Sequence, residues 1–196
     1  MSERAKPEVA HAWVALRAED PEAASAFVVA RDRLEAAGAL RELRRFRVFE
    51  LRGTLPEGPA LADLLHRSTQ FYNPSKERCV VRREPGAGSP VDGGDAVALV
   101  VERGGDRRSA AERWWRHETG SRIEVREGVA WVMRFEPGAD ASALAGELAV
   151  ARDRSSGRFC NPHAQAADVC TGPPPLDRWP GSRRAGSAAG RGRSTS

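Results

Sequence analysis

Two stretches decide how this chain is read: FYNPSKERCVVR, Phe71 to Arg82, and FCNPHAQAADVC, Phe159 to Cys170. Placing Asn73-Pro74 on Asn161-Pro162 offsets them by 88 positions. At that offset Phe, Asn and Pro coincide, whereas Cys160 falls on Tyr72, His163 on Ser75, Cys79 on Ala167 and Cys170 on Arg82. What the stretches share is backbone chemistry. Asn accepts a left-handed helix end, and Pro cannot continue a helix and pushes the residue before it out of the α region. The thiols and the imidazole, which alone would suggest a reactive or metal site, are not shared. Cys160, His163 and Cys170 offer three ligands where a closed zinc site needs about four. A thiol at a helix C-terminus also sits at the wrong end of the dipole for activation. Both stretches are therefore read as a helix exit into a last strand, with incidental thiols and no metal.

The rest of the chain repeats around these two exits. REPGAGSPVDGG, Arg83 to Gly94, has the Gly/Pro/Ser density of a linker and separates two halves of similar length. In the first half, the apolar run Trp13 to Leu16 predicts a strand, and Asp20-Pro21 an N-cap followed by Pro at the first helical position. A helix follows with Ala24, Phe27, Val28 and Leu34 on one face, closed by a left-handed Gly38. LRELRRFRVFELRG predicts two short strands joined tightly around Arg45 to Arg47. PALADLLHRSTQF predicts a second helix with Leu61, Leu64, Leu65 and Ser68 inward, and Cys79 to Val81 a last strand. The second half runs in the same order. Val97 to Glu102 is a strand, Asp106 a cap, and SAAERWWRHETG a helix with Ala110, Ala111, Trp114 and Trp115 on one face before Gly120. SRIEVREGVAWVMRF is a strand pair turning at Gly128, and a final helix carries Leu144, Leu148 and Val150 or Ala151.

The predicted fold class is therefore α+β: two tandem ferredoxin-like βαββαβ domains, residues 11–82 and 95–170, joined by the linker 83–94. A unit of about 75 residues buries only about 60% of its unfolded surface. The halves are thus expected to pack as a pseudo-dimer. Residues 1–10 are expected to be flexible. Residues 171–196, rich in Gly, Pro, Ser and Arg, are expected to be a disordered basic tail. That tail holds five arginines against Asp177, a balance of +4 that equals the net charge of the whole chain. The basic character is thus a property of the tail, and a single aromatic residue, Trp179, stands among its arginines, too few for a base-stacking series, so nucleic acid is not the expected partner.

MSERAKPEVAHAW is charged where a signal peptide needs an apolar run, and no window approaches the ~18 apolar residues of a membrane span. A cytoplasmic chain with reduced thiols is expected. His11, His66 and His117 have no carboxylate or cysteine at ligand spacing and read as surface or helix-face histidines. Trp114 and Trp115 read as core or interface. No nucleophile, acid/base pair or phosphate-cradling loop stands out, so no catalytic residue and no cofactor is predicted.

The order of elements, Asp-Pro before the first helix, Leu34 to Gly38 ending it, and the Asn-Pro exits resemble the PurS family, the small subunit of phosphoribosylformylglycinamidine synthase. The family's exit reads roughly Leu-Ala-Asn-Pro, and its strand pair carries an Arg-x-Gly-Lys hairpin. Here Arg44 and Arg47 stand at the basic positions of the first copy with Phe46 in place of the glycine. Arg126 and Gly128 match in the second copy, with Val129 in place of the lysine. The resemblance covers nearly all of residues 11–82 and, more faintly, 96–170. It implies a noncatalytic assembly subunit that bridges the synthetase PurL and the glutaminase PurQ in ATP-dependent purine synthesis. The partner-binding residues it implies are Arg44, Arg47, Asn73, Pro74, Arg126, Gly128, Asn161 and Pro162. Further self-association of the chain is left open. The alternative is a tandem ACT-like module that binds a small ligand and regulates another protein.

Overall fold

The computed structural model describes residues 7–85, 87–92, 95–151 and 157–181. It is an α+β structure of six antiparallel strands and four helices. The first half supplies β1 (Glu8–Leu16), α1 (Pro21–Arg33), β2 (Leu40–Gly53), α2 (Gly58–His66) and β3 (Glu77–Arg82). The second supplies β4 (Ala96–Glu102), α3 (Ser109–Thr119), β5 (Ile123–Phe135), α4 (Ala141–Ala149) and β6 (Gln165–Thr171). All six strands form one sheet in the order β3-β1-β2-β5-β4-β6.

The strand pairs expected around Arg45–Arg47 and at Gly128 are instead single long strands. β2 and β5 pair with each other from Leu40↔Phe135 to Gly53↔Ile123, with one irregularity between Leu40 and Glu42. A turn at Arg45 would leave backbone groups to find other partners, whereas β5 pairs with the groups that face it along the whole length of β2. Gly128 is required for proximity rather than for a turn. A Cβ there would lie 2.8 Å from the Val100 carbonyl oxygen and 2.8 Å from a Val101 methyl.

At about 3.3 Å per residue, the 14 residues of β2 span roughly 45 Å. That length lets one strand serve two cores on the helix-covered face. In one core, Ala12 and Val14 of β1, Phe49 and Leu51 of β2, and Leu61, Leu64 and Leu65 of α2 pack with Ala111 and Trp115 of α3 and Val125 of β5. In the other, Ala30 of α1 with Leu40 and Leu43 of β2 packs with Met133 and Phe135 of β5 and Ala145 and Leu148 of α4. Each core therefore takes one helix from each half.

The opposite face carries a third cluster, with Trp13, Phe46, Val48, Val97, Leu99, Val101, Ala130 and Val132 covered by Val91 and Trp179. Arg82, on the β3 edge, donates from Nη1 to the carbonyl of Pro174, just beyond the β6 edge. Arg82 of β3 is also an electrostatic neighbour of Cys170 on β6, and side chains of β1 and β4 share this cluster, so the sheet is curled around it.

Several expectations are corrected. Residues 171–196 are not uniformly a free tail: Thr171 belongs to β6, Gly172, Pro174, Trp179 and Pro180 are buried, and residues 182–196 lie outside the described residues. The linker packs as well, with Val91 buried, and β1 already begins at Glu8 within the expected flexible start. Asp20 caps α1 as expected, its Oδ1 accepting from the amides of Glu22 and Ala23 at 2.9 and 3.2 Å. Gly38 is right-handed, with φ −55°, because a 3-10 turn at Glu35–Ala37 intervenes after α1. Gly120 is the left-handed cap, with φ 71°. Asp106 does not cap α3, whose N-cap position is Arg108.

Candidate functional site

Beyond Val14↔Arg47, β1 no longer pairs with β2, and the edge of β2 from Arg41 to Phe46 faces open space. The corresponding edge in the second half is closed. There Arg107 bridges Arg126, the amide of Arg108 donates to the carbonyl of Val125 at 2.8 Å, and the amide of Glu127 donates to the carbonyl of Asp106 at 2.7 Å. The difference is loop length. Arg103–Arg108 between β4 and α3 is long enough to lie along β5, whereas Arg17–Asp20 turns directly into α1.

The open edge becomes a cleft of about 470 Å³ beneath α1, within the range of small-molecule sites. Its apolar surface comes from Leu16, Ala23, Phe27, Val28, Leu43 and Phe46. The face of α1 expected to be buried is thus only partly so: Ala23 and Ala30 face the core, Phe27 is half-buried, and Val28 is 55% exposed. Charges of both signs surround the apolar surface, Arg41, Arg44, Arg45 and Arg78 with Glu19, Asp20 and Glu42.

These charges differ in how they are held. Arg45 reaches Glu22 at 2.8 Å and Asp20 at 3.6 Å, lies 6.0 Å from the Trp131 ring centroid, and leaves its buried Nε without a partner among the described residues. Arg44 donates to Asp95 at 2.6 Å and to the Pro90 carbonyl at 3.1 Å. Arg134 meets the same Asp95 at 3.0 Å, so this carboxylate, 1% exposed, fastens the linker to β2 and β5.

The residues singled out from sequence are not gathered into one site. Arg44 and Arg126 lie on the curled inner face, and Arg47 on the helix-covered face. Arg47 is engaged by Glu77 at 2.7 Å and the Phe71 carbonyl at 3.2 Å, and Arg126 by Glu124 at 2.6 Å. The expectation of a hairpin presenting Arg44, Arg47, Arg126 and Gly128 is corrected, because all four sit mid-strand in the β2–β5 ladder.

The Asn-Pro turns do correspond in detail. Asn73 Oδ1 accepts from the Ser75 amide at 3.1 Å, and its own amide donates to Glu77 Oε2 at 2.7 Å. Asn161 Oδ1 accepts from the His163 amide at 3.0 Å, and its amide donates to Gln165 Oε1 at 2.9 Å. These are side-chain-closed turns that launch β3 and β6 and keep Pro74 and Pro162 near the surface. They are not helix exits with a left-handed Asn. α2 and α4 end earlier, at His66 and Ala149, and among the described residues no non-glycine has positive φ.

The thiols and histidines are dispersed. Cys160 is buried, and burial pushes its thiol up. Burial likewise pushes Cys79 up to about 12 and Cys170 up to about 11. His163 and His117 are exposed, and His66 Nδ1 lies 3.0 Å from the Tyr72 hydroxyl. Among the described residues no group of three or more His, Cys, Asp or Glu could hold a metal ion, and no helix is long and apolar enough to cross a membrane. His11 corrects the surface reading, since it lies on β1, fully buried.

Sequence reasoning missed the cleft. Arg45 reads as part of a tight joint between two short strands, and nothing in the spacing of Arg41, Arg45 and Arg78 shows where β1 stops pairing. Comparison with family models, with curated proteins and with solved structures finds no match for the chain.

Proposed function

We propose that the chain is a noncatalytic binding module, a fused pseudo-dimer of two ferredoxin-like units, in which one of two equivalent strand edges is left open to take a small ligand. The carrying observation is the asymmetry: Asp106–Arg108 seal β5, and among the described residues no segment pairs with the Arg41–Phe46 edge of β2. An apolar strip flanked by arginines and carboxylates fits a zwitterion with an apolar side chain, the chemistry of an amino acid. The unpaired β2 backbone offers hydrogen-bonding groups beside it. This is the ACT-like regulatory reading. A second reading, the PurS-like scaffold between PurL and PurQ, is favoured by the shared cores, which give one chain the form of a symmetric dimer.

One set of measurements separates the readings. The melting temperature of the full chain should rise by several degrees with an apolar amino acid at millimolar concentration. The rise should disappear in Phe27→Glu, which places a charge on the cleft's apolar surface. No rise with any amino acid or nucleotide, together with comigration with PurL and PurQ on gel filtration in glutamine, ADP and magnesium, would reverse the preference.

A further inference from the structure

The curled inner face holds a second feature, away from the cleft and independent of the reading above. The strand registers align Arg82 of β3, His11 of β1, Glu50 of β2 and Arg126 of β5 in one cross-strand row. Three of the four are fully out of solvent: His11 0%, Arg82 1% and Glu50 2% exposed. Trp13 follows His11 on the same face of β1 and is 1% exposed. The C-terminal segment Gly172–Gly181 covers the row. Trp179 meets His11 edge-on at 5.9 Å and donates from Nε1 to Asp106 at 3.0 Å, while Pro174 accepts from Arg82.

Hydrogen-bond accounting at this place does not close. Arg82 Nε, Trp13 Nε1 and both ring nitrogens of His11 are buried and have no partner among the described residues. A buried polar group without a partner costs a substantial fraction of its desolvation, and a buried charge without a counterion costs more. Arg82 has no carboxylate within ion-pair distance among the described residues. Its one electrostatic neighbour of potentially negative charge is the Cys170 thiol, which burial keeps protonated. Arg82 and Arg52 both add positive potential at His11. The missing group is therefore an acceptor, and a negative one: two fixed N–H donors, an imidazole and an uncompensated guanidinium occupy one covered stretch of sheet.

We propose that the β1–β3 end of the sheet, beneath the C-terminal segment, binds a small oxyanion or the carboxylate of a small molecule, held by Arg82, Trp13 and His11, with Gly172–Gly181 as its cover. Arg82 supplies the charge, Trp13 a directional donor, and neutral His11 a donor through one ring nitrogen.

The test uses the full chain and its unfolding midpoint, measured at fixed ionic strength in formate, acetate, phosphate and benzoate. A saturable rise with at least one of these is expected. It should be abolished in Arg82→Met and weakened at least fivefold in Trp13→Phe, which keeps the ring and removes the N–H. Saturation by formate or phosphate but not benzoate would identify a free ion, and saturation by benzoate a carboxylate-bearing molecule admitted under the cover. Should Arg82→Met fail to fold, Trp13→Phe and the anomalous signal of bromide soaked into crystals of the wild-type chain decide the matter, with a bromide beside Arg82 expected. The proposal is overturned if no anion acts beyond ionic strength, if Trp13→Phe leaves the anion effect intact, or if the space beside Arg82 holds only water in bromide-soaked crystals.

Discussion

His11 shows at the residue scale what burial does to a titratable group. The imidazole is held at about 3, against an ordinary value of 6.5, first by desolvation and then by the Arg82 and Arg52 charges. A lowered histidine means that the unfolded chain binds the proton more readily than the folded one. Its contribution is complete above pH 6.5 and is lost as pH falls from 6.5 towards 3. Between pH 7 and pH 5 the loss should approach about 2 kcal/mol. Glu50 acts in the opposite sense. Burial raises its carboxyl despite Arg52, so it favours the fold at low pH and loses that contribution as pH rises through its raised value. Urea unfolding at pH 7 and pH 5 of wild type and of His11→Gln isolates the histidine. The wild type should lose about 2 kcal/mol more than the variant, and equal losses would show that His11 is not neutral in the fold.

At the scale of elements, the C-terminal segment buries one large side chain in the sheet. Trp179 is 3% exposed among Val48, Leu99 and Val101, so Trp179→Ala should cost about 3–5 kcal/mol and lower the urea midpoint accordingly. A loss below about 1 kcal/mol would show that the segment merely rests on the sheet. Its sequence hid this role, because TGPPPLDRWPG has the composition of a disordered segment and one tryptophan does not alter that average. Elements with local signals were readable: Leu61, Leu64 and Leu65 placed the inner face of α2, and Asp20-Pro21 the start of α1. The long strands were not, since LRELRRFRVFELRG carries seven charged residues that interrupt its apolar alternation, and only the facing β5 makes a continuous ladder the better use of its backbone. The cleft was illegible for a related reason. It exists because β1 stops pairing after Val14, a fact of register that no single segment encodes.

At the scale of the whole molecule, the arrangement of the cores determines whether either half can stand alone. Separating the chain in the linker removes Trp115 and Val125 from Leu61 and Leu64 in one core, and Ala30, Leu40 and Leu43 from Leu148 in the other. Burial of each large apolar side chain is worth ~1.5–3 kcal/mol, so losing three or four from a small unit removes most of a stability near ~5–10 kcal/mol. The cut also bares the full edges of β2 and β5, long unpaired strands that invite aggregation. Fragments 1–90 and 91–196 should therefore each lack a cooperative unfolding transition and give poorly dispersed amide spectra. Mixed in equal amounts at low concentration, they should regain the dispersion of the intact chain, because every contact between them is noncovalent. A sharp transition from either fragment alone would mean that each half carries a complete core and that the exchange of helices between them is incidental to stability.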